Sequence, residues 1–254
     1  MIFELTYLFL IFPAFLTAVI DIVFGMGFGL TMTPILLLMG YPPHEIVPAL
    51  LFSSLVGNLF SPIFHHRFKN VDLRLCSQHF CMSMLIGILG VVGSFVGASI
   101  SIGISDFYLG LYIGLLIMAV GLFLLLKRKL NATFSWLKLV FLSFFGSFNK
   151  GISGSGFGPI VTTGMIIMNV KEKVAVSIQT FSELFVSIAG FLTFLLAGSQ
   201  ISWNLLLPLS MGVVFSTPLA AFVVHKFESR KLRTGIALAT VVLGFLTLLG
   251  LFWN

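Results

Sequence analysis

The feature that most limits this chain is Leu184–His225, a run of 42 residues without one Asp, Glu, Lys or Arg. A helix needs about 20 apolar residues to cross the hydrocarbon core of a bilayer. The run therefore holds two spans, joined near Gly198–Ser202. Three more uncharged runs, Leu75–Ser105, Phe107–Leu126 and Thr234–Asn254, are each long enough for one. Charged residues make up 9% of the 254, against about 25% in a soluble domain, so lipid must be the outer solvent. The runs are continuous rather than alternating, which excludes a transmembrane barrel. The class is an all-α polytopic membrane protein. Met1–Tyr7 carries Glu4 and no Lys or Arg, so no cleaved signal peptide is expected. Cys76 and Cys81 have no metal-ligand spacing and read as reduced apolar filler.

Eight hydrophobic stretches can be drawn, at about 5–39, 46–64, 75–99, 107–126, 138–169, 174–197, 203–224 and 234–253. Their connections sort sharply by charge. Arg67, Lys69 and Arg74 lie in 65–74, Lys127, Arg128, Lys129 and Lys138 in 127–138, Lys171 and Lys173 in 170–173, and Lys226, Arg230, Lys231 and Arg233 in 225–233. The connections at 40–45, 100–106 and 198–202 have none. Eight single crossings would put the basic loops of the two halves on opposite sides, against the positive-inside rule. If 138–169 enters and leaves on one side, thirteen of the fourteen Lys and Arg share one face, and the fourteenth, Lys150, is inside a membrane segment. That face is expected to be the cytoplasmic face of the cell membrane. The net charge of +6 is thereby loop charge, and no nucleic-acid partner is expected. Between Leu139–Asn149 and Pro159–Asn169 lies Lys150-Gly-Ile-Ser-Gly-Ser-Gly-Phe-Gly158, too rich in glycine to continue a helix. A re-entrant hairpin fits, with its tip near the midplane and shielded by protein or a wet cavity.

Shifting the chain by 129 lays Gly25-Met-Gly27-Phe28-Gly29 on Gly154-Ser-Gly156-Phe157-Gly158, Thr33 on Thr162, and Phe52-Ser53 on Phe181-Ser182. The expected organisation is two inverted repeats, 1–130 and 131–254, each a Gly-broken segment followed by three spanning helices. Paired interrupted segments of this kind point to a secondary transporter. The charges do not decide whether the first broken segment spans or turns back, because Thr6–Phe24 is long and the N-terminus has no Lys or Arg.

Ionisable residues within the membrane segments are few: Asp21, Lys150 and Glu183, with His79 nearer a helix end. Each costs at least about 2.5–3.5 kcal/mol at the bilayer centre and needs a partner or a water-lined site. Asp21 and Lys150 coincide under the 129-residue shift, so Lys150 reads as an anion ligand or as the partner of Asp21. Asp21 then reads as that partner or as a protonatable group. Glu183 lies in Ser177-Ile-Gln179-Thr180-Phe-Ser182-Glu183, a polar stripe expected to face the interior. The candidate substrate site comprises Lys150, Gln179, Gly25, Gly27, Gly29, Ser153, Gly154, Ser155, Gly156 and Gly158, with Asp21 and Glu183 as proton-coupling candidates. The amides at Ser155–Gly158, opening a half-helix at Pro159, would suit an anion. Thr162 and Thr163 could add hydroxyls. Gly87, Gly90, Gly93 and Gly97 read as a close helix-packing face, and His65-His66 as a membrane anchor rather than a metal site. Pro208 and Pro218 read as kinks within one helix. The chain carries no metalloprotease, serine-hydrolase or haem-attachment pattern, and no catalytic group, metal or cofactor is expected.

With Pro34-Ile-Leu-Leu-Leu-Met-Gly40 and the Arg67–Arg74 loop added to the glycine pair, the chain resembles the TauE/SafE family of sulfite exporter-like permeases over nearly its whole length. The resemblance implies a prokaryotic cytoplasmic-membrane transporter of sulfite, sulfoacetate, related sulfonates or other small organic anions. It places the family's glycine motifs on Gly25, Gly27 and Gly29 and on Gly154, Gly156 and Gly158, with Phe28 and Phe157 interrupting the family's triple glycine. The expected activity is alternating-access transport of a small anion, with proton coupling and a homodimer both compatible with it. A passive anion channel and a non-transporting membrane accessory protein are the alternatives.

Overall fold

The computed structural model describes residues 2–25, 28–75, 77–126, 132–226 and 230–253. Among these it is all-helical, with ten helices and no strand. They are α1 (Ile2–Phe24), α2 (Phe28–Leu38), α3 (Pro43–Arg67), α4 (Gln78–Gly103), α5 (Asp106–Leu126), α6 (Trp136–Ser153), α7 (Phe157–Ile167), α8 (Glu172–Leu196), α9 (Trp203–Lys226) and α10 (Arg230–Trp253). Eight stretches become ten helices because the two Gly-broken ones each divide. The described parts of five helices, α3, α4, α5, α8 and α9, are long and apolar enough to cross a membrane. Large apolar side chains such as Phe12, Ile63, Ile88, Phe141, Phe215 and Phe245 face outward, as lipid requires. Cys81 is also on the surface rather than in the core, while Cys76 lies outside the described residues. Pro208 and Pro218 both lie inside α9, which stays one helix.

The break in the second half is shorter than its nine-residue glycine-rich segment suggests. α6 continues through Lys150 to Ser153, α7 resumes at Phe157, and Gly154 and Gly156 alone carry positive φ there, +68° and +88°. Gly151 and Gly158 stay helical and serve close packing instead. A Cβ on Gly151 would lie 2.3 Å from the Ser94 carbonyl oxygen, and one on Gly158 2.3 Å from that of Gly25. At 18 residues, α6 is about 27 Å long, well over half the bilayer. α6 and α7 run antiparallel, with Gly146 against Val161 and Gly164 against Leu142. Their outer ends are tied where the Ala132 N–H donates to the Ile167 carbonyl. The hairpin therefore enters and leaves on one face.

The first broken segment also turns back. Leu10 and Leu36 both cluster with Leu205 and Leu206 at the start of α9, while Ile22 and Phe24 cluster with Ala220 and Val224 near its end. α1 thus runs parallel to α9, and α2 returns. The end of α9 lies beside the basic loop after α3, since Asn70 Nδ2 donates to the Ala221 carbonyl, so α1 and α6 start from opposite ends of the helical bundle. The backbone repeats at the 129-residue offset: α2 and α7 have matching bounds, and the Gly25 N–H donates to Asp21 O as that of Gly154 does to Lys150 O. At the far ends, Tyr41 N–H donates to Leu36 O as Val170 N–H does to Met165 O. Gly40 and Asn169 both take positive φ.

The tips of the hairpins interlock. A Cβ on Gly29 would sit 2.7 Å from the Gly154 carbonyl oxygen, the counterpart of Gly158 against Gly25. Around them, α4 lays its glycine face on α6: a Cβ on Gly93 would lie 2.6 Å from Phe144 O, and one on Gly97 2.2 Å from Phe148 O. Serine hydroxyls then bridge helices to backbone carbonyls, Ser94 to Val186, Ser101 to Ile152, Ser143 to Ile86 and Ser182 to Ser83. Such close small-residue packing with hydrogen bonds is how helices associate where lipid removes the hydrophobic drive.

Backbone contacts cannot yield as side chains do, so Gly29→Ala, Gly97→Ala and Gly158→Ala should each cost about 2 kcal/mol or more. Gly103→Ala, with open space around it, should leave the thermal midpoint in detergent unchanged or raise it. For the hairpin, single cysteines replacing Thr133 and Lys171, in a chain with Cys76 and Cys81 changed to Ser, should react with an impermeant maleimide from the same side. Labelling from opposite sides would refute it.

Candidate functional site

Lys150 sits in the last turn of α6, one turn before the left-handed Gly154 that ends the helix. It is 2% exposed, yet partnered on two sides. Its Nζ lies 2.7 Å from Glu183 Oε1 on α8 and donates to Ser54 Oγ on α3 at 2.8 Å. The second carboxylate oxygen, Glu183 Oε2, accepts from Gln179 Nε2 at 2.7 Å and from Asn58 Nδ2 at 3.2 Å. An ionised carboxylate offers acceptors alone, so both amides must turn their NH₂ groups toward it. Three helices thus converge on one ion pair, and each oxygen of Glu183 has a different task.

The alignment of the two breaks suggested Asp21 as the partner of Lys150; the structure pairs Lys150 with Glu183 instead. The reason is direction. Lys150 turns toward α3 and α8, whereas Asp21 Oδ1 lies 3.5 Å from where a Cβ of Gly158 would stand, beside the first turn of α7. An acid at the C-terminal end of α1 is disfavoured by that helix, but α7 presents its N-terminus, where a carboxylate is favoured. Ser153 Oγ is bonded to Ser155 and accepts the Ser155 amide, and the Gly25 carbonyl lies against Gly158. The start of α7 is therefore covered by protein on that side. Gly27 lies outside the described residues. Near the breaks, the hydroxyls of Thr33, Thr162 and Thr163 are buried without a hydrogen-bond partner, and Thr162 Oγ1 stands where a Cβ of Gly25 would fall.

Sequence reasoning missed the contribution of α3. Ser54, Asn58, Ser61 and His65 recur at helical spacing along one buried face of α3. That spacing was the available signal, and Ser54 is also the counterpart of Glu183 under the 129-residue shift. His65 is no membrane anchor: it is 0% exposed, with Nδ1 3.0 Å from Ser177 Oγ and 3.2 Å from Asn70 Nδ2. Its position in the polar face of α3, turned toward α8, accounts for the burial. His66, by contrast, is exposed. Among the described residues no group of His, Cys, Asp and Glu is arranged to hold a metal ion.

On the basic face, the loop after α3 and the α7–α8 turn enclose a basin of about 890 Å³. Arg67, Lys69, Arg74, Lys171 and Lys173 line it together with Asp72 and Glu172. Side-chain bonds shape the loop: Ser77 Oγ donates to Asp72 O, and the Leu73 and Asp72 amides donate to His66 Nδ1 and His79 Nδ1.

Comparison with known proteins bears on what kind of protein this is. The chain is 25% identical over 232 residues to a probable membrane transporter protein, YtnM, of Bacillus subtilis (strain 168), covering 85% of this chain and 74% of that protein. No solved structure matches it. The family model described as sulfite exporter TauE/SafE matches residues 10–247. Nearly all of the broken-helix framework lies within that span, and the chain belongs to the TauE/SafE family of membrane transporters.

Proposed function

We propose that this protein is a secondary transporter of a small anion, with sulfite and sulfonates such as sulfoacetate the leading substrates, acting by alternating access in the bacterial cytoplasmic membrane. The observation that carries the reading is the Lys150–Glu183 pair, buried between α3, α6 and α8 beside the broken hairpin. Stability alone is a poor reason for such a pair. A buried ion pair is often matched or exceeded by apolar residues of similar volume, whereas losing one partner costs about 3–5 kcal/mol. The matching backbone features at the 129-residue offset, and hairpins starting from opposite ends of the bundle, support two inverted repeats, 1–130 and 131–254, as the moving units.

The two oxygens of Glu183 suggest how a proton is coupled to the anion. Oε2 is held by Gln179 and Asn58, while Oε1 faces Lys150. A proton arriving on Oε1 removes the charge that holds Lys150 and leaves the bonds on Oε2 in place. The freed ammonium then binds the anion, with the Ser54 hydroxyl beside it. Carboxylate and substrate thus compete for one cation, and Glu183 carries the proton. Asp21 remains the second candidate for coupling, at the start of α7. Gly25, Gly29, Gly154, Gly156 and Gly158 act as the framework that lets the tips approach, and Ser153 and Ser155 as hydroxyls at the break.

The test separates transport from folding. Lys150→Met should lose about 3–5 kcal/mol of stability, and the double change Lys150→Met with Glu183→Leu should recover most of it. Uptake of labelled sulfite or sulfoacetate by proteoliposomes should nevertheless fall in the double variant by about thirtyfold or more, from the loss of a buried charge-paired contact. Wild-type uptake by the stable double variant would overturn the proposal. Glu183→Gln should keep anion exchange yet lose acceleration by a pH gradient; wild-type flux that ignores any proton or sodium gradient would instead indicate a channel.

A further inference from the structure

A line of polar side chains runs between the basic basin and the buried pair. Below Asn70, which belongs to the basin lining, His65 and Ser61 follow along α3, then Asn58 and Ser54 at the pair itself. Three polar atoms along the upper part of this line are buried and unpartnered: Asn70 Oδ1, His65 Nε2 and Ser61 Oγ. The hydrogen bonds assign the histidine tautomer. Asn70 Nδ2 donates to the Ala221 carbonyl, so its amide is oriented and its second hydrogen is directed to His65 Nδ1, which thereby accepts, while the single Ser177 hydroxyl hydrogen is shared between that nitrogen and the Lys173 carbonyl. A neutral His65 then carries its proton on Nε2. The result is an unpartnered N–H donor one helical turn from an unpartnered hydroxyl.

Positive-inside sorting accounts for basic residues on this face. It does not account for five cations facing two acids around one concavity, nor for buried unpartnered polar atoms beneath it. Buried polar groups are ordinarily satisfied, so three in succession call for an occupant.

We propose that the basin and the α3 stripe beneath it are the route by which a small oxyanion passes between the basic face and Lys150, with His65 Nε2–H and Ser61 Oγ–H as donors along it. The inference rests on the anion-transport reading for its destination. The chemistry suits the class: an oxyanion has several acceptor oxygens that need donors, and the line offers cations at its mouth and N–H and O–H groups within, while Asn70 Oδ1, an acceptor, is left to water or to a protonated form of the anion. Asp72, the acid nearest the turn of the loop, accepts the Arg74 amide on Oδ1 and lies 4.0 Å from Arg74 Nε, so part of its charge is already answered.

Thiol accessibility tests the route without requiring transport. In a chain with Cys76 and Cys81 changed to Ser, Ser61→Cys is exposed from the basic face to an anionic ethylsulfonate methanethiosulfonate and to its cationic trimethylammonium analogue. Rates are normalised to a free thiol. The anionic reagent should react preferentially by about tenfold, as expected of a basic cleft that concentrates counter-ions. His65→Phe should slow that reaction several-fold while leaving a cysteine at Thr133 unaffected. An unreactive Ser61→Cys, equal normalised rates, or indifference to His65→Phe would each overturn the proposal. If Ser61→Cys does not fold, Ser177→Cys, whose hydroxyl oxygen lies 3.0 Å from His65 Nδ1, takes its place. Because the readout is labelling, the route can fail while Lys150 still proves essential for uptake, and the reverse result is equally visible.

Discussion

The crossing of the two hairpin tips is the contact on which the rest depends. Gly29 lies against the carbonyl of Gly154, and Gly158 against that of Gly25. Unwound backbone at membrane depth is tolerable when protein surrounds it, and here each break is covered by the opening helix turn of the other. The contact joins main chain to main chain, so no side-chain rearrangement can relieve a change in spacing. It also positions the chemistry, because the turn at Gly154 closes through a hydrogen bond to the Lys150 carbonyl.

From that anchored turn, Lys150 reaches outward to helices that the breaks do not contain. α8 supplies the carboxylate and one amide, and α3 the second amide and a hydroxyl. Both carboxylate oxygens of Glu183 are thereby answered from within the protein. Ion pairs of this kind are expensive to assemble and more expensive to break, which makes them well suited to a site where one charged group can be exchanged for another. The backbone match at the 129-residue offset does not extend to the chemistry: the counterpart of Lys150 is an acid, that of Glu183 is Ser54, and that of His65 is Phe194.

Much of this was legible in the chain, for reasons that can be traced to particular residues. The second hairpin could be read because Lys138 and Lys171 flank it and their charges report a side of the membrane. The first has no such reporters, and its return appears in how Leu10 and Leu36 share neighbours at the start of α9. The length of the break is not legible because glycine serves two purposes, a left-handed turn at Gly154 and Gly156 and close approach at Gly151 and Gly158. Composition cannot tell these apart. The pairing of Lys150 with Glu183 is a contact between distant segments, while repeat alignment pointed to the residue equivalent by sequence. The α3 stripe escaped notice because its members, apart from His65, are uncharged and diluted among Leu, Val and Phe.

The interlocked tips also bear on how the chain is made. Gly25 and Gly29 emerge from the ribosome more than a hundred residues before the Gly154–Gly158 segment that covers them. At roughly 5–20 residues per second, the first hairpin waits on the order of ten seconds with its irregular turn unanswered by its final partner. Lipid offers that turn no hydrogen bonds. The insertion machinery or neighbouring helices must shelter it meanwhile, so maturation of the amino-terminal half is completed by synthesis of the other.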